Sequence, residues 1–322
     1  MYNEERKIEF IKEYTMSAGN SHRCERIFNS IEPYEIELDA DFCTLTTEEL
    51  TPVVDSIVGI RSRSKWSTLV ILKSYVRWCL ANRIDGCRDD LLHIDSFGLE
   101  NMRNRMVSTP QMMQKRLDMI CDPVSKETVD IVFRSYYWLA FSGMSTQEIL
   151  DLTAENLCFE DMSVYYNGNV YPIYRESVET LKKCANLSYF VFQHPRYEKK
   201  LSRYPSDKLM RGIKGVYNEN TIRIALSRLT QRRAEVDKNA PKMSHYRIFL
   251  SGIFYRKYQL EISGEEVDFL PEAKKYANDW QEKKGRSYKL ESGKNLIGAK
   301  YRQVAKDYYD DYQQWKLAFR LS

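Results

Sequence analysis

The apolar positions of this chain recur mostly at helical spacing. Residues 3–32 carry Ile8, Phe10, Ile11 and Tyr14 among charged neighbours, which predicts helix. Thr46-Thr47-Glu48-Glu49-Leu50 has the look of a capped helix start, running towards Ile60. From Ser64 to Asn82, Trp66, Leu69, Val70, Leu72, Tyr75, Val76, Cys79 and Leu80 trace the clearest amphipathic helix of the first third, with Lys65, Lys73 and Arg77 on its opposite face. Pro110 resets the chain after Val107-Ser108-Thr109, which places a domain boundary at 107–110. Residues 126–141 predict a strongly apolar helix. Val164 to Tyr174 changes to strand character around Asn167-Gly168, a dipeptide suited to a tight hairpin. A helix over 175–186, a short strand over 188–192 and mostly helix to the end complete the pattern. Trp66, Trp78 and Trp138 are expected in the core.

Length supports two domains: 322 residues at ~100–200 per domain, with 43% hydrophobic and 29% charged residues. The expected fold class is mainly α with a small β-sheet (α+β). No apolar run reaches the ~18–20 residues of a membrane span, and MYNEERKIEF is charged where a signal peptide is apolar, so a cytoplasmic protein is expected. The seven cysteines are odd in number, scattered, and never in a CxxC pair, which argues against disulfides and zinc; no metal or cofactor is expected.

Charge is uneven. Residues 1–60 hold 5 basic and 13 acidic side chains, a net of −8, whereas 61–80 carry Arg61, Arg63, Lys65, Lys73 and Arg77 with no acid. Residues 196–233 hold 11 Lys and Arg, among them Lys199, Lys200, Arg203, Arg211, Lys214, Arg223 and Arg228, against three acids. Such stretches fit a surface for double-stranded DNA, because cations release counterions on meeting phosphates. A solvated helix face would read the same way.

Familiar enzyme signatures are missing: there is no P-loop, GxSxG, HExxH or GxGxxG. The informative stretch is Leu139-Ala-Phe-Ser-Gly-Met-Ser-Thr-Gln-Glu-Ile-Leu-Asp-Leu-Thr153. It resembles the first box of the tyrosine recombinases (the phage integrase family), T-G-L-R-x-x-E-L-x-x-L, through Gly143, Glu148, Leu150 and Leu152. The hairpin follows in the family's order. Met243-Ser-His-Tyr-Arg-Ile-Phe-Leu-Ser-Gly-Ile-Phe254 is similar to the second box, H-x-L-R-H-x-F-A-T, with Arg247 at its arginine and His245 beside the histidine position. Lys65 to Asn82 looks like the main helix of the family's core-binding domain. The resemblance therefore implies a helical, SAM-like core-binding domain over 1–108 and a tyrosine-recombinase-like catalytic domain over 109–322.

In that family two arginines grip the scissile phosphate, a hairpin lysine acts as general acid, and a tyrosine attacks phosphorus. Here the first arginine position is Ser145, and the turn Tyr166-Asn-Gly-Asn-Val170 has no lysine. Gly285-Arg286-Ser287 resembles the family's G-H-S. The nucleophile position then falls near Asn295, with Tyr301 the next tyrosine and Tyr308, Tyr309 and Tyr312 beyond; another register pairs Trp280 with Tyr288. Ser offers one neutral donor where Arg offers a charged fork. The resemblance implies DNA binding, of the kind used in integration and recombination by mobile elements, with catalysis impaired or lost. An active divergent recombinase using Arg247, His245, Arg286 and Tyr301 or Tyr308, and an interaction protein that neither binds nor cuts DNA, stay open as alternatives. The Tyr-rich terminal helix over 300–319 is read as packing on a neighbouring domain or on a partner protomer, which allows homo-oligomers on DNA.

Overall fold

A computed structural model describes residues 1–18, 21–57, 62–94, 98–121, 128–194, 196–236, 243–275 and 296–321. The chain divides into two compact units, Met1–Arg103 with Asp268–Ser322, and Asn104–Val267. Among the described residues no helix is long and apolar enough to cross a membrane.

The first unit is helical: α1 (Glu4–Ala18), α2 (Ser21–Leu38), α3 (Thr47–Ile57), α4 (Ser62–Ala81), the short α5 (Asp90–His93) and most of α6 (Leu99–Arg105). The predicted helix over 3–32 is thus two helices, the second reaching Leu38. The cap before α3 forms as its residues require: the Thr46 backbone N–H donates to Glu49 Oε2 at 2.9 Å, and Glu49 N–H returns to Thr46 Oγ1 at 3.4 Å. Phe10, Phe28, Ile31, Phe42, Leu72 and Tyr75 make the core. Within it lies a wholly buried ion pair, Lys7 with Glu35. Asp41 is 4% exposed and accepts from Asn3 Nδ2 (2.9 Å), Cys43 N–H (3.1 Å), the Tyr75 hydroxyl (3.0 Å) and Arg6 (3.2 Å).

The long terminal helix α13 (Leu296–Phe319) belongs to this unit. The described residues 268–275 and 296–321, within the stretch assigned from sequence to the second domain, group with this unit. Tyr308, Tyr312 and Trp315 are buried, and Phe269 packs among them with its ring 5.5 Å from that of Tyr312 and tilted to it. Lys65 of α4 donates to Gln314 Oε1 at 3.0 Å.

The second unit is built on α8 (Val129–Phe141), whose residues from Val132 onward are all buried. Around it stand α7 (Pro110–Ile120), α9 (Thr146–Asp151), α10 (Val178–Asn186), α11 (Glu219–Val236) and α12 (His245–Ile262). Thr109 caps α7 by accepting from Met112 N–H at 3.1 Å, with Pro110 in the first turn. Helix α12 crosses α8 so closely that a Cβ on Gly252 would stand 1.6 Å from the Phe141 carbonyl oxygen. Two small antiparallel sheets complete the unit: β1 (Leu157–Cys158), β2 (Ser163–Tyr166) and β3 (Asn169–Pro172), then β4 (Tyr189–His194) and β5 (Tyr197–Ser202). Asn167 and Gly168 both take positive φ, +47° and +74°, as a two-residue hairpin turn demands. Strand β5 is a departure from the predicted helix-rich ending. Its YEKKLS sequence is exposed at all but one position, so it shows no alternation of apolar and polar residues.

Candidate nucleic-acid interface

The two sequence boxes meet in the second unit. Box one ends α8 and turns into α9; box two begins α12. Thr146, the first residue of α9, and Ser244 and His245, at the start of α12, line one cleft of about 720 Å³ with Glu219 and Arg223 of α11. The His245 ring stacks on Phe249 (6.0 Å between centroids) and lies 5.4 Å from that of Tyr136. The Tyr136 hydroxyl is 3.0 Å from Thr146 Oγ1, and burial pushes it up to about 12.

Ser145, at the family's first arginine position, caps α9. Its Oγ accepts from Glu148 N–H at 3.3 Å, and its own N–H donates to Glu148 Oε2 at 2.7 Å. The Tyr171 hydroxyl on β3 donates to Glu148 Oε1 at 2.5 Å, which ties the hairpin to the same turn. Gly143 keeps φ at +94°, and a Cβ there would stand 2.3 Å from the guanidinium of Arg256. Arg256 itself donates to the Phe141 carbonyl at 3.1 Å, closing the end of α8.

Arg247, in the first turn of α12, is half-buried, and Arg105 at the end of α6 lies close by. Burial first, and then the positive charge of Arg105, hold the Arg247 guanidinium down to about 10. Burial also lowers Arg105. Among the described residues neither guanidinium has a hydrogen-bond or ion-pair partner. A guanidinium is a planar fork of the kind that suits phosphate oxygens. The helix dipole of α12 adds positive potential at the same end. Arg105 had no signal in sequence: it stands outside both boxes, far along the chain from Arg247.

The basic stretches divide into exposed and structural cations. In the first, Lys65 is 6% exposed and bound to Gln314, and burial holds its ammonium below the ordinary lysine range despite Asp55 and Asp311. Lys73 donates to the Leu92 and Ile94 carbonyls at 3.1 and 3.0 Å, which tethers the C-terminal end of α5. Neither is an open phosphate contact. Arg77 is exposed. Trp66, expected in the core, is 69% exposed: the terminal helix covers the Lys65 side of α4, and the tryptophan points to solvent. Arg61 and the side chain of Arg63 lie outside the described residues.

In the second stretch Lys199, Lys200, Lys214, Arg223 and Arg228 are exposed. Lys200 pairs with Glu198 at 3.3 Å. Arg203 is a correction: it is 6% exposed, and its guanidinium donates to the carbonyls of Cys184, Leu187 and Leu209 at 2.7 to 2.9 Å, so it ties the loop after β5 to the end of α10. Arg211 is partly buried and donates to the Lys208 carbonyl at 2.8 Å.

Of the remaining candidates, Arg286, with Trp280 and Tyr288, lies outside the described residues. Tyr301 is half-buried on α13. Tyr308 is 3% exposed against Phe269, so its hydroxyl is not presented to a substrate. Both tyrosines belong to the first unit, whereas Arg247 and His245 belong to the second.

No curated protein matches the chain. Among solved structures, XerA recombinase aligns at 11% identity and a TM-score of 0.35, over 82% of this chain and 86% of that one. The Tn1549 transposon integrase, in complex with circular intermediate DNA, aligns at 13% identity and a TM-score of 0.34, over 81% of this chain and 88% of that one. Residues 1–81, from the start of the chain to the end of α4, match the family described as MrpR, N-terminal core-binding domain.

Proposed function

We propose that this protein binds duplex DNA on a tyrosine-recombinase-like scaffold without cutting it. The observation that carries the reading is the pair Arg105 and Arg247, half-buried, within reach of each other's charge, and without a described carboxylate partner. Like charges held together at a half-buried site repel, an anion offsets that repulsion, and a backbone phosphate is an anion that matches guanidinium forks. Arg77, Lys199, Lys200, Lys214, Arg223 and Arg228 are exposed and supply further phosphate contacts, which require only charge at roughly the right place. The core-binding match over 1–81 agrees with a DNA role for the first unit.

Chemistry is a stricter demand. Losing one preorganised donor from a transition-state clamp costs ~10²–10³ in rate. Ser145 is engaged in capping α9, and the hairpin turn has no lysine to protonate a leaving oxygen. A second reading, an active divergent recombinase, rests on Arg247 and on Tyr301, which is half-buried where Tyr308 is enclosed. Gel shifts on duplex DNA at low salt, run beside a nicked suicide substrate, separate the readings. A shifted band with no covalent adduct is the expected result. An adduct lost in Tyr301→Phe establishes the enzyme, and no shift at low salt sinks DNA binding altogether.

A further inference from the structure

Three of the seven cysteines, distant in sequence, converge in the first unit. Cys43 lies on the short 3-10 turn Phe42–Thr44, Cys79 near the end of α4, and Cys87 on the loop that follows. Their sulfur atoms all lie within 4.8 Å of one another. Cys43 and Cys79 are 1% and 0% exposed, whereas Cys87 is half-buried.

The frame holding these thiols is tied by backbone hydrogen bonds. Arg88 N–H donates to the Cys43 carbonyl at 2.9 Å, and Ile84 N–H to the Cys79 carbonyl at 3.0 Å. Gly86, at φ +72°, turns the loop so that it packs against Thr44. Single cysteines are common in cores as small apolar residues. Three sulfurs from three segments in mutual reach are instead the donor set of a thiophilic metal ion.

We propose that Cys43, Cys79 and Cys87 form a binding site for a thiophilic divalent cation of the zinc class. With Zn–S bonds of ~2.3 Å, three thiolates around one ion stand about 3.8–4.0 Å apart, so the observed cluster closes with shifts of under about an ångström. Binding releases three thiol protons to solvent and leaves a complex with one net negative charge. Asp41 does not complete the set: its oxygens already accept from Asn3, Arg6, the Tyr75 hydroxyl and Cys43 N–H. The fourth position falls to water, and half-buried Cys87 marks the side from which the ion enters. The spacing Cys43, Cys79, Cys87 has no CxxC, so no sequence rule for zinc detects it.

The test uses the reduced full-length chain titrated with Co²⁺, a spectroscopic stand-in, followed by Zn²⁺. The expected result is a thiolate-to-cobalt charge-transfer band saturating at one ion per chain and bleached by Zn²⁺. Cys87→Ser, at a half-exposed loop position, weakens binding by more than the ~10–100-fold typical of losing even an outer-shell partner. Cys158→Ser, in the second unit, leaves the band unchanged. Absence of the band, or an equal band in Cys87→Ser, overturns the proposal. X-ray absorption at the zinc edge of the wild-type chain needs no variant: three sulfur neighbours at ~2.3 Å support the site, and a shell of oxygen and nitrogen alone overturns it.

Discussion

Arg105 stands near enough to Arg247 for its charge to add to burial in holding the Arg247 guanidinium down to about 10. The sign of this shift matters. Below pH 10 both folded and unfolded chains carry the proton, and the folded state bears the full cost of the charged pair. Stability gained from relieving it appears only as pH rises from about 10 towards the ordinary 12.5. At neutral pH a bound anion would offset the like charges. Inorganic phosphate should therefore raise the melting temperature of the wild-type chain. Arg247→Met should raise it without phosphate and abolish the response to phosphate. A thermal melt series checks both, and a destabilised Arg247→Met would show that the charge has a stabilising partner.

Lys65 and Arg77 sit on one helix with opposite expected phenotypes. Lys65→Met removes a buried ammonium that holds Gln314, so it should alter chemical denaturation and leave the salt dependence of DNA binding unchanged. Arg77→Ala should do the reverse, lowering the salt slope by about 1 with little change in stability.

Gly252 lets α12 cross α8 at the Phe141 carbonyl. With a Cβ placed 1.6 Å from that oxygen, Gly252→Ala forces the helices apart. The backbone cannot yield as a side-chain tip can, so the cost should exceed ~3 kcal/mol, at the upper end for overpacking. Denaturant melts of the full chain measure it; a loss below ~1 kcal/mol would mean that the crossing is looser than described.

Asp41 contributes to the acid limb of the first unit's stability. Burial alone would raise its carboxyl, but hydrogen bonds from Asn3 and Cys43, with the charge of Lys7, outweigh burial and hold it below its ordinary 3.8. Its contribution is complete above 3.8 and is lost as pH falls through the lower folded value. Asp41→Asn should cost about 3 kcal/mol at neutral pH and flatten the stability profile below pH 4. Equal acid slopes in the two proteins would contradict this account.

Local chemistry was legible from the residues alone. Thr46 with Glu49 and Asn167-Gly168 each specify their structure within a few positions, and each forms as expected. What failed was decided by distant chain. Trp66 and Lys65 exchange the expected environments because α13 covers the Lys65 side of α4, and Lys65 meets a residue 249 positions away. Arg203 reads as a surface cation in a basic stretch, yet the loop carbonyls around it take its guanidinium inside. Tyr308 reads as a nucleophile by position and lies in the terminal core through Phe269. The site followed the same rule: Gly143 and Glu148, and Arg247 with His245, stand in boxes readable from sequence, but Arg105 had no motif to announce it.

The central claim is that phosphate is held by Arg105 and Arg247. The most direct measurement is duplex DNA affinity against salt concentration, for the wild-type chain and for Arg247→Ala and Arg105→Ala. Each substitution should weaken binding at every salt concentration, by roughly 1–3 kcal/mol, and reduce the slope of log affinity against log salt by about 1. Unchanged affinity and slope in both variants, with the fold intact, would contradict the account.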